Sequence, residues 1–561
     1  MSRPCPAGGR RTRAADRLVA SLAVLTLVSG CGPAGEDPDN RDPVTAEVRV
    51  SEAVRVDGTL DEWSTSTSLG EGSSSAAGRT VDLNTVRAQD DPYWLYLAIE
   101  LDPEVNAQTL PGSLHVLVDA DGDAGTGGDL FGMPGTEIDV VLSYVTGPGE
   151  SARGLGAAVR SVRSDGPGPA TSAYALGVVV APTWASGTFE LRIARFGAPD
   201  AGLPRLDGPL HIRLVYEERG VVIDQTPAAA YEPQTEAAVG VPPIPEADAL
   251  ERMARPERTV RVAQWNVSDG SFRRRPDDFA RLLAALEPDV VLLDELPGDT
   301  EASDLERFFG HPALSALGSW SFALGTSGGR QRSVVGARNL EVRPATRLLD
   351  LQHAPAAITA LRDSLPETAH EAIESEGRRG MSTAGAWVTL QGTPALFVAL
   401  DLQSRGWAGS PHDRLRALQA RTLRAAIDDE LENAPPGGPE VEAVAAPTGP
   451  VVLIGGDLNL VGSRDPLLTL AVGRDGRLLV PASLRRIGEQ TLATWQNPSD
   501  PFLPGRLDFL LLPPDRVEPV SGFVFATGDL PTSVLDRLGL EASLSGALSD
   551  HLVLVADLRV R

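Results

Sequence analysis

A chain of 561 residues, 42 % hydrophobic and 22 % charged, has the length for two or three globular domains and the material for large cores. Its formal net charge of −26 counts against passive binding of a polyanion, so nucleic acid is a partner the charge does not support outside a local basic groove. All 50 basic side chains are Arg, and the absence of Lys excludes a Schiff base or a Walker lysine. In chain order, the basic stretch around Arg10–Arg13 precedes a short apolar run that ends in Val28-Ser29-Gly30-Cys31. That run is too short for an ordinary membrane span and reads as an export signal over residues 1–30. Cys5 and Cys31 are the two cysteines, so the processed chain has no disulfide even in an oxidising compartment. Residues 31–44 are rich in Gly, Pro and Asp and read as a solvated tether.

The ending of the apolar run resembles a bacterial lipobox. The resemblance implies cleavage before Cys31, lipidation of its sulfur and a membrane as partner, with the protein exported and anchored to the cell envelope. The alternative is a plain signal peptide that happens to end near a Cys.

Residues 45–225 carry short alternating runs, among them "YWLYLAIEL", "SLHVLVD", "EIDVVLSYV", "TFELRIARF" and "LHIRLVYEE", separated by turn signals. Helical patterns are scarce, which predicts an all-β sandwich. Within it, "VDADGDAGTGGDLFGMPGTEIDV" alternates Asp119, Asp121 and Asp123 with glycines following. That spacing either wraps oxygens around Ca2+, with Asp129 or Glu137 completing the shell, or forms a solvated acidic turn. Position 12 from Asp119 is Leu130, so the loop is not an EF-hand. "VRVDGTLDEW" with "AQDDPYWLYLAIEL" resembles the start of family 9-like carbohydrate-binding modules. The resemblance admits a glycan ligand, with Trp63, Tyr93 and Trp94 either at its surface or in the core. Residues 226–257 are dense in Pro and read as a linker ending in a short helix.

From residue 258 to 561 the texture changes. "TVRVAQWNV", "DVVLLDEL", "GPVVLIGGDLNL", "RLDFLLLP" and "SDHLVLVADLRV" read as strands, and "RRPDDFARLLAALEP" and "HDRLRALQARTLRAAIDDELE" as helices. Strands with both faces apolar, alternating with helices, predict α/β layers. Polar residues stand where the apolar strands finish: Asn266, Glu295, Asp457 with Asn459, Asp508, and Asp550 with His551. Carboxylates from distant strands suit a hard divalent cation, and a His beside an Asp suits a phosphate or a proton. Each residue also has a bland reading. Asn266 caps a turn, "GGDLN" is a Gly-permitted turn, Asp508 pairs with Arg506, and one of Asp294 and Glu295 is solvated.

The order "WN … LLDE … GGDLN … RLDF … SDH" resembles the endonuclease/exonuclease/phosphatase superfamily, which includes DNase I-like nucleases, neutral sphingomyelinases and inositol-polyphosphate 5-phosphatases. The resemblance implies a four-layer α/β sandwich of the DNase I-like type over residues 258–561 and a site holding Mg2+ or Mn2+. It implies that Asn266, Glu295 and Asp550 serve the metal, and that Asp457, Asn459, Asp508 and His551 are catalytic. The implied activity is hydrolysis of a phosphodiester or phosphomonoester substrate by an exported phosphoesterase. The alternative is an inactive surface lipoprotein that binds glycan or envelope components. One position departs from the pattern. "VALDLQS" places Asp401 where many relatives carry a His, and a carboxylate repels phosphate unless it binds metal, pairs with Arg or is protonated. Arg405, Arg414 and His412, or Arg330, Arg332 and Arg338, are the nearby sources of positive charge, or else solvated loop residues.

Overall fold

The computed structural model describes residues 55–63, 66–73, 80–144, 154–433, 450–489 and 491–561. The stretches that read as an export signal and a tether, with Cys31 between them, lie outside the described residues.

The first domain is a sandwich of two antiparallel sheets. One has five strands in the order Thr67–Glu71, Asp82–Asp90, Trp94–Val105, Ser186–Ala194 and Val179–Ala181. The path of the other runs Thr171–Ser172, Ala157–Arg163, Ile138–Leu142, Ser113–Asp119, Leu210–Glu218 and Val221–Gln225. The period of two along a strand explains how one segment serves two cores. Leu95, Leu97 and Ile99 face Val116, Val140 and Leu214 between the sheets, while Trp94, Tyr96 and Ala98 pack outward with Val56 and Trp63. Trp63 donates from Nε1 to Glu190 Oε1 at 2.7 Å, and the Arg192 guanidinium sits 4.0 Å over the Trp94 ring. Both tryptophans are therefore core residues and present no face for a sugar to stack on. The Pro-rich segment after Gln225 is ordered by both domains. Ala229–Tyr231 pairs with Leu210–Glu218, and the helix Glu246–Met253 inserts Ala249 into the core of the second domain.

The second domain has two six-stranded sheets. The first runs Trp320–Leu324, Gln331–Arg338, Val290–Pro297, Val260–Asn266, Val553–Val560, Val517–Phe525. The second runs Val342–Pro344, Ser382–Leu390, Thr393–Asp401, Val451–Asp457, Asp508–Leu512, Val480–Pro481. Because these strands are apolar on both faces, each sheet takes helices on one side and the other sheet on its inner side. In "VVLL", Val291 and Leu293 meet the helix Pro276–Leu286, while Val290 and Leu292 meet the second sheet. In "ALFVAL", Leu396, Val398 and Leu400 meet the helix Pro411–Glu432, while Ala395, Phe397 and Ala399 face inward. The result is the four-layer α/β sandwich of the DNase I-like type. Pro276 at the first helical position with Asp277 and Asp278 in the first turn starts one outer helix, and Ser410 caps the other by accepting from Asp413 N at 3.3 Å.

The two glycines of "GGDLN" have separate reasons. A Cβ on Gly455 would lie 2.6 Å from Leu292 Cδ1 of the opposite sheet, so this Gly permits the sheets to close. Gly456 has φ +154°, and a Cβ there would lie 1.9 Å from the Leu400 carbonyl oxygen.

Candidate active site

The inward-facing positions of five strands change from apolar to polar at one end of the inter-sheet core. Val260 and Val262 lead to Gln264 and Asn266; Val290 and Leu292 lead to Asp294. Phe397 and Ala399 lead to Asp401, and Leu453 leads past Gly455 to Asp457. In the antiparallel strand, Leu512 and Leu510 lead back to Asp508. Strand register sets these side by side. Asp401 lies opposite Asp457, Asp457 opposite Asp508, and Asn266 opposite Asp294. Glu295 joins the same end because the ladder is irregular between Leu293 and Leu296 and its own φ is +55°. This left-handed backbone, like that of Asn459 at φ +48°, is a local strain held by the surrounding sheet.

Glu295, Asp401 and Asp457 each bring a carboxylate oxygen within 4.8 Å of the other two. Asp457 Oδ1 accepts from Asn459 N at 2.8 Å and its Oδ2 from Asn266 Nδ2 at 3.3 Å. Asn459 Nδ2 donates to Leu402 O at 2.9 Å and to Asp401 Oδ1 at 3.3 Å. Burial, then the negative charges of Glu295, Asp457 and Asp294, pushes the Asp401 carboxyl well above the usual range. Burial raises Asp457 as well, although the His551 charge opposes the rise. Three hard oxygen donors that repel one another fit a divalent cation such as Mg2+ or Mn2+, which would offset their charge. Asp401, which replaces the His expected from the resemblance, thus stands in the carboxylate group.

His551 is placed by Asp508. Its Nδ1 lies 2.8 Å from Asp508 Oδ2, and its Nε2 lies 3.7 Å from Asp457 Oδ2. Asp508 is itself fixed by Thr494 Oγ1 at 2.7 Å and Gln264 Nε2 at 3.2 Å. Burial alone would lower the imidazole, but the Asp508 and Asp457 carboxylates outweigh it and hold the ring well above its ordinary value. The two carboxylates thus favour the protonated ring, whose Nε2 lies toward the carboxylate group.

Asp550 differs from its sequence assignment. Its Oδ2 accepts from Trp495 Nε1 at 3.0 Å, and it lies outside the group of Glu295, Asp401 and Asp457. Asn266 also differs in detail. Its Oδ1 accepts from Ser268 N at 3.1 Å, and its amide nitrogen turns to Asp457, so it orients a carboxylate. Asp294 is buried, not solvated, and burial followed by Asp508 and Asp457 raises its carboxyl well above the usual range. Gln264, Thr494 and Trp495 were not singled out from sequence. The alternation Val262-Gln264-Asn266 carried the signal for the first.

The arginines divide. Arg332 sits opposite Leu296, at the site end of its strand, with Nη1 on Thr300 O at 2.7 Å. Arg338 lies at the far end, paired with Asp289 at 2.7 Å, and Arg414 reaches Ser364 O at 3.3 Å. Arg416, buried in the helix Pro411–Glu432, was not anticipated. It donates to Gln403 O at 2.7 Å and Arg405 O at 2.5 Å and so braces the loop after Asp401.

In the sandwich, Asp119, Asp121 and Glu137 bring oxygens within 4.8 Å of one another. Thr126 Oγ1 bridges Glu137 Oε1 at 2.6 Å and Asp121 Oδ1 at 3.1 Å. Asp123, which accepts from Gly125 N at 2.8 Å, and the exposed Asp129 stay outside this group. The short hairpin of Gly128–Leu130 with Met133–Thr136 brings Glu137 back to the loop while Asp129 faces solvent.

The model of the Endonuclease/Exonuclease/phosphatase family matches residues 263–551, a span that includes every residue of the site from Asn266 to His551. Among solved structures, humanized D. rerio TDP2 is 16 % identical, covering 54 % of this chain and 100 % of that one with a TM-score of 0.32. The human Nocturnin catalytic domain with bound sulfate anion is 15 % identical, covering 55 % and 97 % with a TM-score of 0.34. The endonuclease/exonuclease/phosphatase from Bacteroides vulgatus is 13 % identical, covering 54 % and 99 % with a TM-score of 0.33. No curated protein matches the chain. Since the matched span is more than half of its length, the chain belongs to the Endonuclease/Exonuclease/phosphatase family, whose members are hydrolases acting on phosphate esters.

Proposed function

We propose that this chain is an exported, lipid-anchored phosphoesterase that depends on a divalent cation, Mg2+ or Mn2+, and hydrolyses a phosphodiester or phosphomonoester. The observation that carries the reading is the meeting of three carboxylates, Glu295, Asp401 and Asp457, beside the Nε2 of a His551 held by Asp508. Glu295, Asp401 and Asp457 would hold the cation, which would supply Lewis-acid polarisation of a phosphoryl oxygen and stabilisation of the leaving oxyanion. The chain's residues do the remainder. Asp457, oriented by Asn266 and Asn459, directs the attacking water and takes its proton. His551, whose protonated ring Asp508 favours, presents Nε2–H to the phosphate and lowers the charge that builds there. Water adds to phosphorus in line, the P–O bond to the leaving group breaks, and the leaving oxygen takes up a proton. Arg332, at the site end of its strand, would steer an anionic substrate. Lipid attachment at Cys31 and Ca2+ at Asp119, Asp121 and Glu137 complete the reading.

The test is hydrolysis by the purified mature chain of a panel of nucleic acids, phospholipids and small phosphoesters, with Mg2+, Mn2+ or chelator. Metal-dependent turnover that disappears in Asp457→Ala supports the reading. No turnover on any substrate with any divalent cation would remove it.

A further inference from the structure

The sandwich touches the second domain at the loops that carry the site. Asn106, buried just after the strand Trp94–Val105, donates from Nδ2 to Val461 O and Gly462 O, each at 3.1 Å. Its third contact from Nδ2 is to Thr183 O of its own domain at 3.4 Å. Its Oδ1 accepts from Ala408 N at 2.8 Å. Val461 follows Asn459, and Ala408 stands in the loop that leaves Asp401. Asn459 joins the same two loops from inside the site, through Asp401 Oδ1 and Leu402 O. One buried amide of the sandwich thus closes a ring of hydrogen bonds whose other side is the carboxylate group.

A third loop is held in the same way. Between Trp495, which binds Asp550, and Asp508, the chain runs out onto the sandwich, where Leu503 is buried in the sandwich core. Pro501 O accepts from Ala157 N at 2.8 Å, and a Cβ on Gly156 would lie 2.2 Å from that oxygen. A tethered accessory module needs no such contacts.

We propose that the sandwich is a fixed wall of the active site and that Asn106 is a positioning residue for Asp401 and Asn459; its kinetic consequence rests on the phosphoesterase reading above. Removing a buried amide that merely stabilised an interface would lower stability alone. One that positions the loops also sets their local opening and the geometry of the groups they carry.

The experiment compares the full mature chain with Asn106→Ala by hydrogen exchange, Mn2+ titration and turnover of bis(p-nitrophenyl) phosphate. Glu489→Gln, which removes the charge from the interdomain ion pair with Arg192 away from these two loops, is the control. Asn106→Ala is expected to speed exchange about tenfold or more in residues 402–410 and 459–463 and to weaken Mn2+ roughly tenfold. It is expected to lower kcat by about ten- to a hundredfold with KM changed less than about twofold. Glu489→Gln should lower Tm without moving exchange in those two loops. If Asn106→Ala does not fold, Asn106→Ser, whose hydroxyl is too short to span both loops, carries the same expectations. Exchange and Mn2+ affinity unchanged from wild type, with only Tm lowered, would overturn the proposal. A wild type inactive on every phosphoester would count against the phosphoesterase reading alone, since exchange and Mn2+ binding still decide the role of Asn106.

Discussion

Asp401→Asn separates the two roles that a carboxylate in this position can have. The substitution keeps the shape and an oxygen for Asn459 Nδ2, which lies 3.3 Å from Asp401 Oδ1, and removes one charge. The oxygens of Glu295, Asp401 and Asp457 lie within 4.8 Å of one another. Two unit charges at that spacing repel by about 3.5 kcal/mol at an effective dielectric of about 20, and Asp401 takes part in two of the pairs. Proton uptake by the raised carboxyls relieves much of this, so the metal-free variant should gain on the order of 2 kcal/mol, a Tm rise of roughly 3 °C for a domain of this length. The sign with pH follows. A carboxyl raised above its unfolded value contributes stability that is full below the unfolded pKa and is lost as pH rises through the folded one. The gain from Asp401→Asn should therefore grow with pH. With metal the order inverts, because the variant lacks a charged donor and should bind Mn2+ about a hundredfold more weakly, on the order of 3 kcal/mol. Thermal unfolding of both proteins in chelator and across a Mn2+ series reads both effects. A variant less stable in chelator, with its Mn2+ shift intact, would refute the reasoning and leave Asp401 as a hydrogen-bond anchor for Asn459.

His551→Gln should lower kcat by roughly 10²- to 10⁴-fold on any active substrate while leaving Mn2+ affinity within about threefold, measured by steady-state kinetics beside metal titration. Gly456→Ala should cost about 3 kcal/mol or more, because its Cβ would lie 1.9 Å from Leu400 O at φ +154°; chemical denaturation measures this. Burial pushes the imidazole of His353 down to about 4. Thr422 Oγ1 donates to Leu418 O at 3.0 Å, so His353 Nδ1 is the donor at 3.0 Å, and the buried Nε2 has no hydrogen-bond partner among the described residues. A depressed folded pKa means stability present above the unfolded value near 6.5 and lost as pH falls toward 4. Denaturation against pH should show wild type losing about 3 kcal/mol over that window relative to His353→Met.

Period-two patterning made much of the second domain legible. In the run Ala395–Leu400 alternate side chains face the helices and the opposite sheet, and the inward row continues to Asp401. The same parity carries Val262 to Asn266, Leu453 to Asp457 and Leu510 to Asp508, so a row of acids at strand ends already outlined the site. Other features depend on backbone irregularity or distant partners that a linear pattern does not encode. The irregular ladder at Leu293–Leu296 turns Glu295 toward the site, and nothing in "LLDEL" announces it. Which of Asp508 and Asp550 holds His551 depends on Trp495, far back in the chain, taking the Asp550 carboxylate. In the acidic loop of the sandwich, the hairpin geometry selects Glu137 over Asp129. Asn106 reads as an ordinary residue after a strand, because its partners lie some three hundred residues away.

The central claim is that the carboxylate group holds a divalent cation that enables phosphoester hydrolysis. The most direct measurement is calorimetric Mn2+ titration of the metal-free mature chain and of Asp457→Ala, with bis(p-nitrophenyl) phosphate turnover recorded at each metal concentration. The account predicts saturable binding in wild type, turnover that follows occupancy, and loss of both in Asp457→Ala. Turnover that persists in chelator, or Mn2+ binding that Asp457→Ala leaves unchanged, would contradict it.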